Sequence, residues 1–331
     1  MGVALGDLVE PFLMKRSLSS FKNQTLVVDA HNAIYQFLSS IRQRDGTPLM
    51  DSKGRITSHL SGILYRNANI IENGARVIYV FDGRPPELKH RTLDERSSKK
   101  RKAEVAWSEA LEKGDFERAR SKAAQSTRLT RDMVEDSKDL LRALGIPIVQ
   151  ASTEGEAQAA FMVQKGAGSV CISQDYDSLL FGSSRLARNV AVSGKRKLPG
   201  RNEYINVSPE TLELTDLLKG IGISREQLID LAIIVGTDFN EGVHGYGPKK
   251  ALAAVRGGKK EVLEGIDNYR DIKNIFLNPE VTEDYDIEFE VPDGARVIEL
   301  LCDEHDFSEE RVKKALEKFK KGGQKTLDLF V

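Results

Sequence analysis

Cysteine is scarce in this chain, and its scarcity excludes two classes of protein. The 331 residues include only Cys171 and Cys302, too few for a disulfide framework or a four-ligand cysteine zinc site. Cys171 lies in an apolar, strand-like run, where it is most simply a small core residue. The five histidines are scattered along the chain and form no cluster that would favour a soft metal.

Long apolar runs are missing as well. No stretch approaches the ~18 residues that a membrane-spanning helix needs. The N-terminal segment MGVALGDLVEPFLMKR carries acids where a secretory signal has its early basic region. Hydrophobic residues make up 40% of the chain and charged residues 30%, which is typical of a globular protein with an ordinary core. We therefore expect an intracellular protein that binds no membrane.

The net charge of −1 hides a strong separation of charge along the chain. Residues 84–102 contain eight Lys and Arg against three acids, whereas residues 281–310 contain twelve acids against one Arg. Such asymmetry indicates one surface that faces a polyanion and another that repels it. Taken singly, either run is also accounted for by a solvated helix face.

Short runs rich in β-branched residues alternate with helical patterns, which predicts an α/β fold with a mostly parallel central sheet flanked by helices. The predicted strands are Thr25–Val28, Arg76–Phe81, Ile146–Val149 and Ser169–Ile172. Between the second and third strands lie more than fifty charged, helix-like residues, 88–143, although a crossover needs only about a dozen. We expect part of this excess to stand away from the core as an arm or lid.

Acidic side chains follow several of the predicted strands. Asp29, Asp82 and Asp175 come at or just after strand ends, as do Asp177, Glu154 and Glu156, and Asp238 follows an apolar helix. Because the carboxyl ends of parallel strands meet at one edge of a sheet, we expect these acids to converge there.

Converging carboxylates repel one another and need a cation to ionise together. Mg²⁺ prefers carboxylate oxygens together with water and phosphate, and two such ions hydrolyse phosphodiesters. The pattern therefore predicts a magnesium site. Two local roles for these acids remain open: Thr153 and Glu156 have the spacing of a capping box, and a lone Asp after a strand is often a turn residue.

Three further features suit a nucleic-acid partner. Lys89 and Arg96 are two helical turns apart and share a helix face beside Asp82, although a generic basic face has the same spacing. The segment 242–251 is a glycine-rich loop that leads into a helix and is suited to gripping a phosphate backbone, or is a simple turn between helices. Tyr35 either stacks on a base or belongs to the core.

These motifs together resemble the flap endonucleases of the structure-specific 5′-nuclease superfamily. The resemblance runs in order from Met1 to about residue 260 and returns in the tail. The segments that carry it are Asp29-Ala30, Tyr35-Gln36-Phe37, Thr57 to Arg66, Glu72-Asn73-Gly74, Val80-Phe81-Asp82-Gly83, Glu154-Gly155-Glu156-Ala157, Ser173-Gln174-Asp175-Tyr176-Asp177 and Gly236-Thr237-Asp238-Phe239.

The resemblance implies a PIN-like 5′-nuclease core with a helical arch and a helix–two-turn–helix element. It implies a Mg²⁺-dependent enzyme, with two ions per site, that cuts 5′ flaps of branched DNA in replication and repair. The implied metal ligands are Asp29, Asp82, Glu154, Glu156, Asp175, Asp177 and Asp238, with Lys89 and Arg96 as catalytic residues of the arch. The implied DNA contacts are Gly2, Tyr35, Arg42, Thr57, Arg66, Gly245, Gly247 and Lys249. The implied contacts to a sliding clamp are Gln324, Leu327, Phe330 and Val331.

We expect a monomer with one nuclease domain over residues 1–323. It divides into an N-terminal part (1–87), the arch (about 88–130), an internal part (about 131–262) and a C-terminal helical part (about 263–323). The double glycine 322–323 is expected to end the last helix near Lys320, so that 324–331 form a flexible clamp-binding tail. The alternatives are a related 5′-exonuclease or repair junction nuclease, and a replication adaptor without catalysis, which would not need seven acids.

Overall fold

The computed structural model describes residues 2–43, 45–190, 194–197 and 204–327, and describes the backbone alone for 90–97, 194–197, 204–206 and 323–327. The α-helices in these residues are α1 (Gly6–Val9), α2 (Ala30–Ser40), α3 (Ser58–Glu72), α4 (His90–Glu112), α5 (Phe116–Gln125), α6 (Arg131–Ala143), α7 (Gly155–Gln164), α8 (Asp177–Leu180), α9 (Leu214–Ile221), α10 (Arg225–Val235), α11 (Pro248–Arg256), α12 (Lys260–Glu264), α13 (Tyr269–Leu277), α14 (Gly294–Ile298) and α15 (Glu309–Leu327).

The strands are β1 (Met14–Lys15), β2 (Thr25–Asp29), β3 (Arg76–Phe81), β4 (Ile148–Gln150), β5 (Val170–Ile172), β6 (Arg185–Arg188), β7 (Gly194–Lys197), β8 (Tyr204–Val207) and β9 (Glu210–Glu213). Seven of them form one sheet in the order β1-β9-β6-β5-β2-β3-β4, and β7 pairs with β8 alone. Strands β2 to β6 are parallel, whereas β9 and β1 add an antiparallel edge. The predicted α/β fold is confirmed.

The sheet reverses its direction of growth at β2. The chain moves from β2 to β3 and β4 on one side, then returns to place β5 on the other side of β2. Val28 in β2 is therefore in register with Tyr79 on one side and with Ile172 on the other. Where strand order reverses in this way, the connections leave in opposite directions and open a crevice at the carboxyl ends of the strands.

Helices cover both faces of the sheet, which explains why its central strands are continuously apolar. In β2 the side chains alternate between two buried clusters: Val27 packs with residues of α7, α9 and α10, while Leu26 and Val28 pack with residues of α2, α3, α6 and α15. All five residues of β2 are buried. Strands β1, β6 and β9, which extend the sheet beyond β5, are absent from the predicted set, because they are short and their polar residues break the apolar pattern.

The charged stretch after β3 divides into three helices. In the described part of α4 only Ala103 and Ala110 are buried hydrophobic residues, and in α5 only Ala119 and Ala123. Helix α6 returns to the sheet and buries Met133, and with it Leu140 and Leu141. We call α4 and α5 the arch; α5 contacts α2, and an arm that stands away from the core stays a prediction. No helix among the described residues is both long enough and apolar enough to span a bilayer.

The prediction that the double glycine ends the last helix is wrong. Helix α15 continues through Gly322 to Leu327, so residues 324–327 of the expected flexible tail are helical, and 328–331 lie outside the described residues. A Cβ atom on Gly322 would lie 2.2 Å from the carbonyl oxygen of Ile71. Gly322 therefore allows α15 to pass close to the end of α3, and here glycine serves packing rather than termination.

Gly322→Ala tests this packing role. If the glycine only marked a helix end, alanine would be neutral or stabilising, because it favours helix by about 1 kcal/mol. We expect instead a net loss of about 1–3 kcal/mol in the free energy of unfolding, since the new methyl group meets backbone that cannot yield easily. Urea unfolding measures the difference.

Gly265→Ala is the matched control for that measurement. Gly265 follows α12 with a negative φ of −80°, and the nearest atom to an added Cβ is 3.7 Å away. Its replacement is expected to leave the unfolding midpoint unchanged or slightly raised. Equal midpoints for the two variants would contradict the close packing of α15 on α3.

Candidate active site

The acids predicted from strand ends gather at the carboxyl edge of four neighbouring strands. Asp29 is the last residue of β2 and Asp82 directly follows β3. Asp175 lies three residues beyond β5, which flanks β2 on the other side. The carboxylates lie close enough to affect one another: those of Asp82 and Asp175 help to raise the pKa of Asp29. The strand order, with its reversal at β2, is what brings them together.

Glu154 and Glu156 lie at the start of α7, which follows β4 after a short turn. Glu154 is the N-cap residue of α7 but makes no side-chain capping bond, and Thr153 donates to the carbonyl of Glu280 at 3.0 Å. The capping-box role of Glu156 is therefore wrong. Its carboxylate instead accepts a 2.9 Å hydrogen bond from the Ser173 hydroxyl.

Neutral donors hold the carboxylates in place. Asn32 donates to Asp175 Oδ2 at 2.9 Å through its amide and to Asp29 Oδ1 at 3.0 Å through its backbone N–H. The backbone N–H of Gly155 donates to Asp82 Oδ1 at 2.7 Å. A Cβ on Gly155 would lie 2.6 Å from the same oxygen, so no other residue type fits there without displacing Asp82.

Asp177 and Asp238 complete the cluster from helix ends. Asp177 begins α8, and its Oδ1 accepts from the backbone N–H of Val3 at 2.8 Å. Asp238 follows α10 and lies 3.7 Å from the ammonium of Lys89. Repulsion from Asp238 helps to raise the pKa of Asp177, so these two carboxylates lie near each other. All seven predicted acids are thus in one region.

Burial and mutual repulsion make this cluster reluctant to ionise. Burial, followed by the neighbouring carboxylates, raises the pKa of Asp29 and of Glu156 well above the usual values. For Asp177 the same causes raise the pKa to about 7. A set of carboxylates with this electrostatic cost is stabilised by bound cations.

Lys89 supplies one positive charge to the cluster. It lies just before α4, and its ammonium is hydrogen-bonded to Glu154 and 3.7 Å from Asp238. Burial alone would lower the pKa of Lys89, but these carboxylates raise it above its usual value. The predicted partner Arg96 lies in α4, and its side chain is outside the described residues.

The donor set fits hard divalent cations. Among the described side chains no three His, Cys, Asp or Glu are arranged to hold a metal ion. Amide, hydroxyl and ammonium groups bind several of the seven carboxylates. The seven predicted ligands all offer carboxylate oxygens, which Mg²⁺ accepts together with water and phosphate. The imidazole of His31 lies 3.3 Å from Asp82 Oδ2 and accepts a hydrogen bond from the backbone N–H of Asp82. The repulsion among the carboxylates favours a divalent cation.

Gly2 and Tyr35 border the cluster. A Cβ on Gly2 would lie 2.5 Å from Asp177 Oδ1, so the chain passes close against the acids at this point. Tyr35 is half-buried, in contrast to its neighbours Ile34 and Phe37, which belong to the core. The ammonium of Lys100, from the arch, lies 4.4 Å from the Tyr35 ring centroid and donates to its hydroxyl at 2.8 Å.

Arg42 and Thr57 bound a segment of two successive hairpin turns, residues 42–57, which we call the 42–57 hairpin. The first turn is closed by a bridge between Arg42 and Pro48, and the second by a bridge between Met50 and Ile56. Thr57 is only 4% exposed, and its backbone N–H donates to Leu49. Arg42 donates to three acceptors within the protein. Neither side chain lies freely on the surface.

Arg66 lies on α3, outside both the 42–57 hairpin and the arch. It is half-buried, and burial lowers the pKa of its guanidinium. Part of the side chain remains open to solvent, so a contact from Arg66 to DNA stays a prediction of the resemblance.

The glycine-rich loop joins α10 to α11 as predicted. Gly242 and Gly245 have φ values of +78° and +79°, and Pro248 begins α11 directly after Gly247. An added Cβ on Gly245 or Gly247 would meet no atom within 4 Å, so the backbone of this loop is open to a partner. Lys249 lies in the first turn of α11, where free N–H groups attract phosphate.

Several groups in the site are not among the residues predicted from the sequence. Asn32 and Ser173 hold the carboxylates, and the backbone N–H of Val3 binds Asp177. A signal for Asn32 existed: it stands three residues after a predicted strand-end Asp, where an N-cap carboxylate meets the N3 position. The partnership with Asp175 was not foreseeable, because 143 residues separate the two.

Comparisons with known proteins identify the family of this chain. The family descriptions "XPG N-terminal domain" and "XPG I-region" match residues 1–103 and 145–238. The chain is 51% identical to Flap endonuclease 1 of Pyrococcus abyssi over 99% of this chain and 98% of that protein, and 53% identical to Flap endonuclease 1 of Archaeoglobus fulgidus over 99% of each. The solved structure of flap endonuclease-1 from Methanococcus jannaschii superposes with a TM-score of 0.79 at 41% identity, covering 98% of this chain and all of that one. The chain therefore belongs to the flap endonuclease family of XPG-type nucleases.

Proposed function

We propose that this protein is a structure-specific nuclease of DNA replication and repair that hydrolyses a phosphodiester at the base of 5′ flaps in branched DNA. The observation that carries the proposal is the convergence of seven carboxylates at the carboxyl edge of the sheet, next to Lys89 at the start of the basic arch. Its relatives named Flap endonuclease 1 match almost the whole chain, including the arch. Such an enzyme works where chromosomal DNA is replicated, inside the cell.

The seven acids Asp29, Asp82, Glu154, Glu156, Asp175, Asp177 and Asp238 would hold two Mg²⁺ ions. Bound ions of this kind lower the pKa of a water molecule and stabilise charge on phosphate oxygens. The role of the chain is to supply a rigid, negatively charged frame. Asn32, Ser173 and Gly155 orient its carboxylates before any ion arrives, which reduces the reorganisation needed during the reaction.

Lys89 is proposed to counter negative charge that grows on the scissile phosphate. Its ammonium already lies at the edge of the carboxylate cluster, beside Glu154 and Asp238. A phosphate entering the site offers Lys89 a second anionic partner in the same place. Arg96 lies seven residues further along, in α4, and is proposed to act with it, as the resemblance implies.

The remaining DNA contacts are proposed to position the branched substrate. The open backbone of Gly245 and Gly247 and the charge of Lys249 suit a grip on the duplex backbone that does not depend on sequence. Gly2 and Tyr35 are proposed to contact DNA beside the carboxylates, and Arg66 to contact the duplex, as the resemblance implies. Branch recognition then depends on shape rather than on the bases themselves.

The C-terminal segment is proposed to bind a sliding clamp through Gln324, Leu327, Phe330 and Val331. Gln324 and Leu327 are about one helical turn apart at the end of α15 and so share one of its faces. Leu327 and Phe330 would serve as apolar anchors in a pocket of the partner. The protein itself is proposed to act as a monomer.

Asp175→Ala tests the metal frame. We expect single-turnover cleavage of a labelled 5′ flap to fall on the order of 10³-fold, because a proposed ligand of the ions is removed. Binding of the same DNA in Ca²⁺ should stay equal or become tighter, since one negative charge facing phosphate is lost. Asp139→Ala, at an exposed acid of α6, is the matched control. Wild-type turnover by Asp175→Ala would refute the assignment.

Lys89→Met tests the proposed charge on the phosphate. The single-turnover rate should fall about 10²-fold while the dissociation constant changes little, because the interaction strengthens as charge develops. Lys165→Met is the control: Lys165 lies at the other end of α7 from Glu154 and is largely exposed. If affinity fell in proportion to rate, Lys89 would only grip the substrate.

Deleting residues 324–331 tests the proposed clamp contact. Flap cleavage by the isolated enzyme should remain at the wild-type rate, whereas stimulation by a ring-shaped sliding clamp should disappear. The double change Leu327→Ala with Phe330→Ala should behave like the deletion, and Lys325→Ala should behave like wild type. Full stimulation of the truncated enzyme would exclude this segment as the docking site.

A further inference from the structure

Arg42 holds together three separate parts of the fold. Its Nε donates to the carbonyl of Leu38 in α2 at 2.8 Å, and its Nη1 donates to the carbonyl of Gly46 in the 42–57 hairpin at 2.7 Å. Its Nη2 donates to the hydroxyl of Thr127 at 2.7 Å. Thr127 follows α5 of the arch and is 8% exposed. The guanidinium therefore joins the core, the hairpin and the arch.

A second contact joins the same hairpin to the arch. Gly46 has a φ of +91°, and an added Cβ would lie only 2.8 Å from the Cα of Arg120 in α5. The first turn of the 42–57 hairpin therefore lies against the backbone of α5. The positive φ of Gly46 in this turn is a conformation that favours glycine. Two independent features place α5 on this turn.

The second turn of the 42–57 hairpin contacts the C-terminal part of the chain. The carboxylate of Asp51 is buried, accepts from Arg55 Nε at 2.7 Å and lies 3.1 Å from the Nδ1 of His305. The backbone N–H of Ser52 donates to Asp306 at 2.6 Å. The hairpin is thus fixed to the body of the protein, and the arch rests on it.

The acceptors of Arg42 are two carbonyls and one hydroxyl, all of them uncharged. A planar guanidinium can direct several N–H groups at once along fixed directions, whereas a lysine ammonium carries the same charge without that geometry. Three N–H donors of Arg42 are already used within the protein. Its uncharged partners require the planar geometry of the guanidinium rather than its positive charge.

We infer that Arg42 is a positioning residue that seats the arch on the 42–57 hairpin. This inference rests on the proposed function, because α4 packs on α5 and begins next to Lys89, the residue proposed to act on the phosphate. Seating α5 through Arg42 and Thr127 sets the height of the arch above the carboxylates. It assigns Arg42 a role different from the direct DNA contact that the family resemblance implies.

Arg42→Lys separates the two roles, because it keeps the charge and removes the fork. We expect the single-turnover rate to fall about tenfold, while the dissociation constant and the salt dependence of DNA binding stay at wild-type values. Arg42→Met should give the same result. Overturning results are a wild-type rate for Arg42→Lys, or an Arg42→Met variant whose salt slope falls by about one, as for a lost phosphate contact.

Thr127 tests the other partner of the contact without changing any charge. Thr127→Val should lower the rate in the same way as Arg42→Lys, Thr127→Ser should restore it, and the combined variant should lose little more than either single one. Additive losses would mean that the two residues act independently and would overturn the inference.

Trp107 provides a readout that needs neither cleavage nor DNA. It is the single tryptophan of the chain and lies in α4 of the arch. In Arg42→Lys and Thr127→Val its emission should shift to longer wavelength, whereas Arg66→Met, outside the arch, should leave it unchanged. Unchanged emission in both arch variants would overturn the inference. If the wild type failed to cut flaps while these shifts occurred, the proposed function would fail and the seating of the arch would stand.

Discussion

Electrostatic repulsion among buried carboxylates is the constraint around which this protein is organised. Two unit charges of like sign 4 Å apart repel by about 4 kcal/mol at an effective dielectric constant of 20, so a set of seven strains the fold that holds it. The structure opposes this repulsion with neutral donors from Asn32, Ser173 and Gly155 and with the ammonium of Lys89. Bound divalent cations would neutralise the remaining negative charge of the carboxylates. The ions that stabilise the site would then be the same ions that supply its chemistry.

The residues of the site come from two parts of the chain that differ in how firmly they are packed. The carboxylates are mounted on a sheet whose two faces are covered by helices, so their positions are determined by a packed core. Lys89 belongs instead to the base of the arch, whose helices α4 and α5 bury few side chains among those described. Parts with few buried apolar contacts open at lower free energy than a core does. The position of the arch therefore depends on a few specific contacts, such as those with the 42–57 hairpin, whereas the position of the sheet is determined by its packed core.

Glycine has three different roles in this chain. At Gly155 the missing side chain leaves room for the carboxylate of Asp82, and at Gly322 it lets α15 approach the end of α3. At Gly245 the positive φ shapes an open turn before α11. The sequence signal is the same letter in each case, and a double glycine near a C-terminus is usually a helix stop. Only the neighbouring backbone shows whether a glycine ends a helix or lets that helix pack closely against another element.

The sequence alone determined the α/β class, the central strands and the acids at their ends. The spacing of hydrophobic residues and the position of an acid after a strand are local properties of the chain. It also predicted an arm from the excess length and charge of residues 88–143. What only the tertiary structure decided were contacts between residues far apart: Asn32 with Asp175, Lys89 with Glu154, and Gly322 with Ile71. The helix stop at the double glycine and the capping box, which was an open alternative for Glu156, are both local preferences of the chain. In the structure Gly322 and Glu156 instead contact Ile71 and Ser173, which are distant in sequence or in another element.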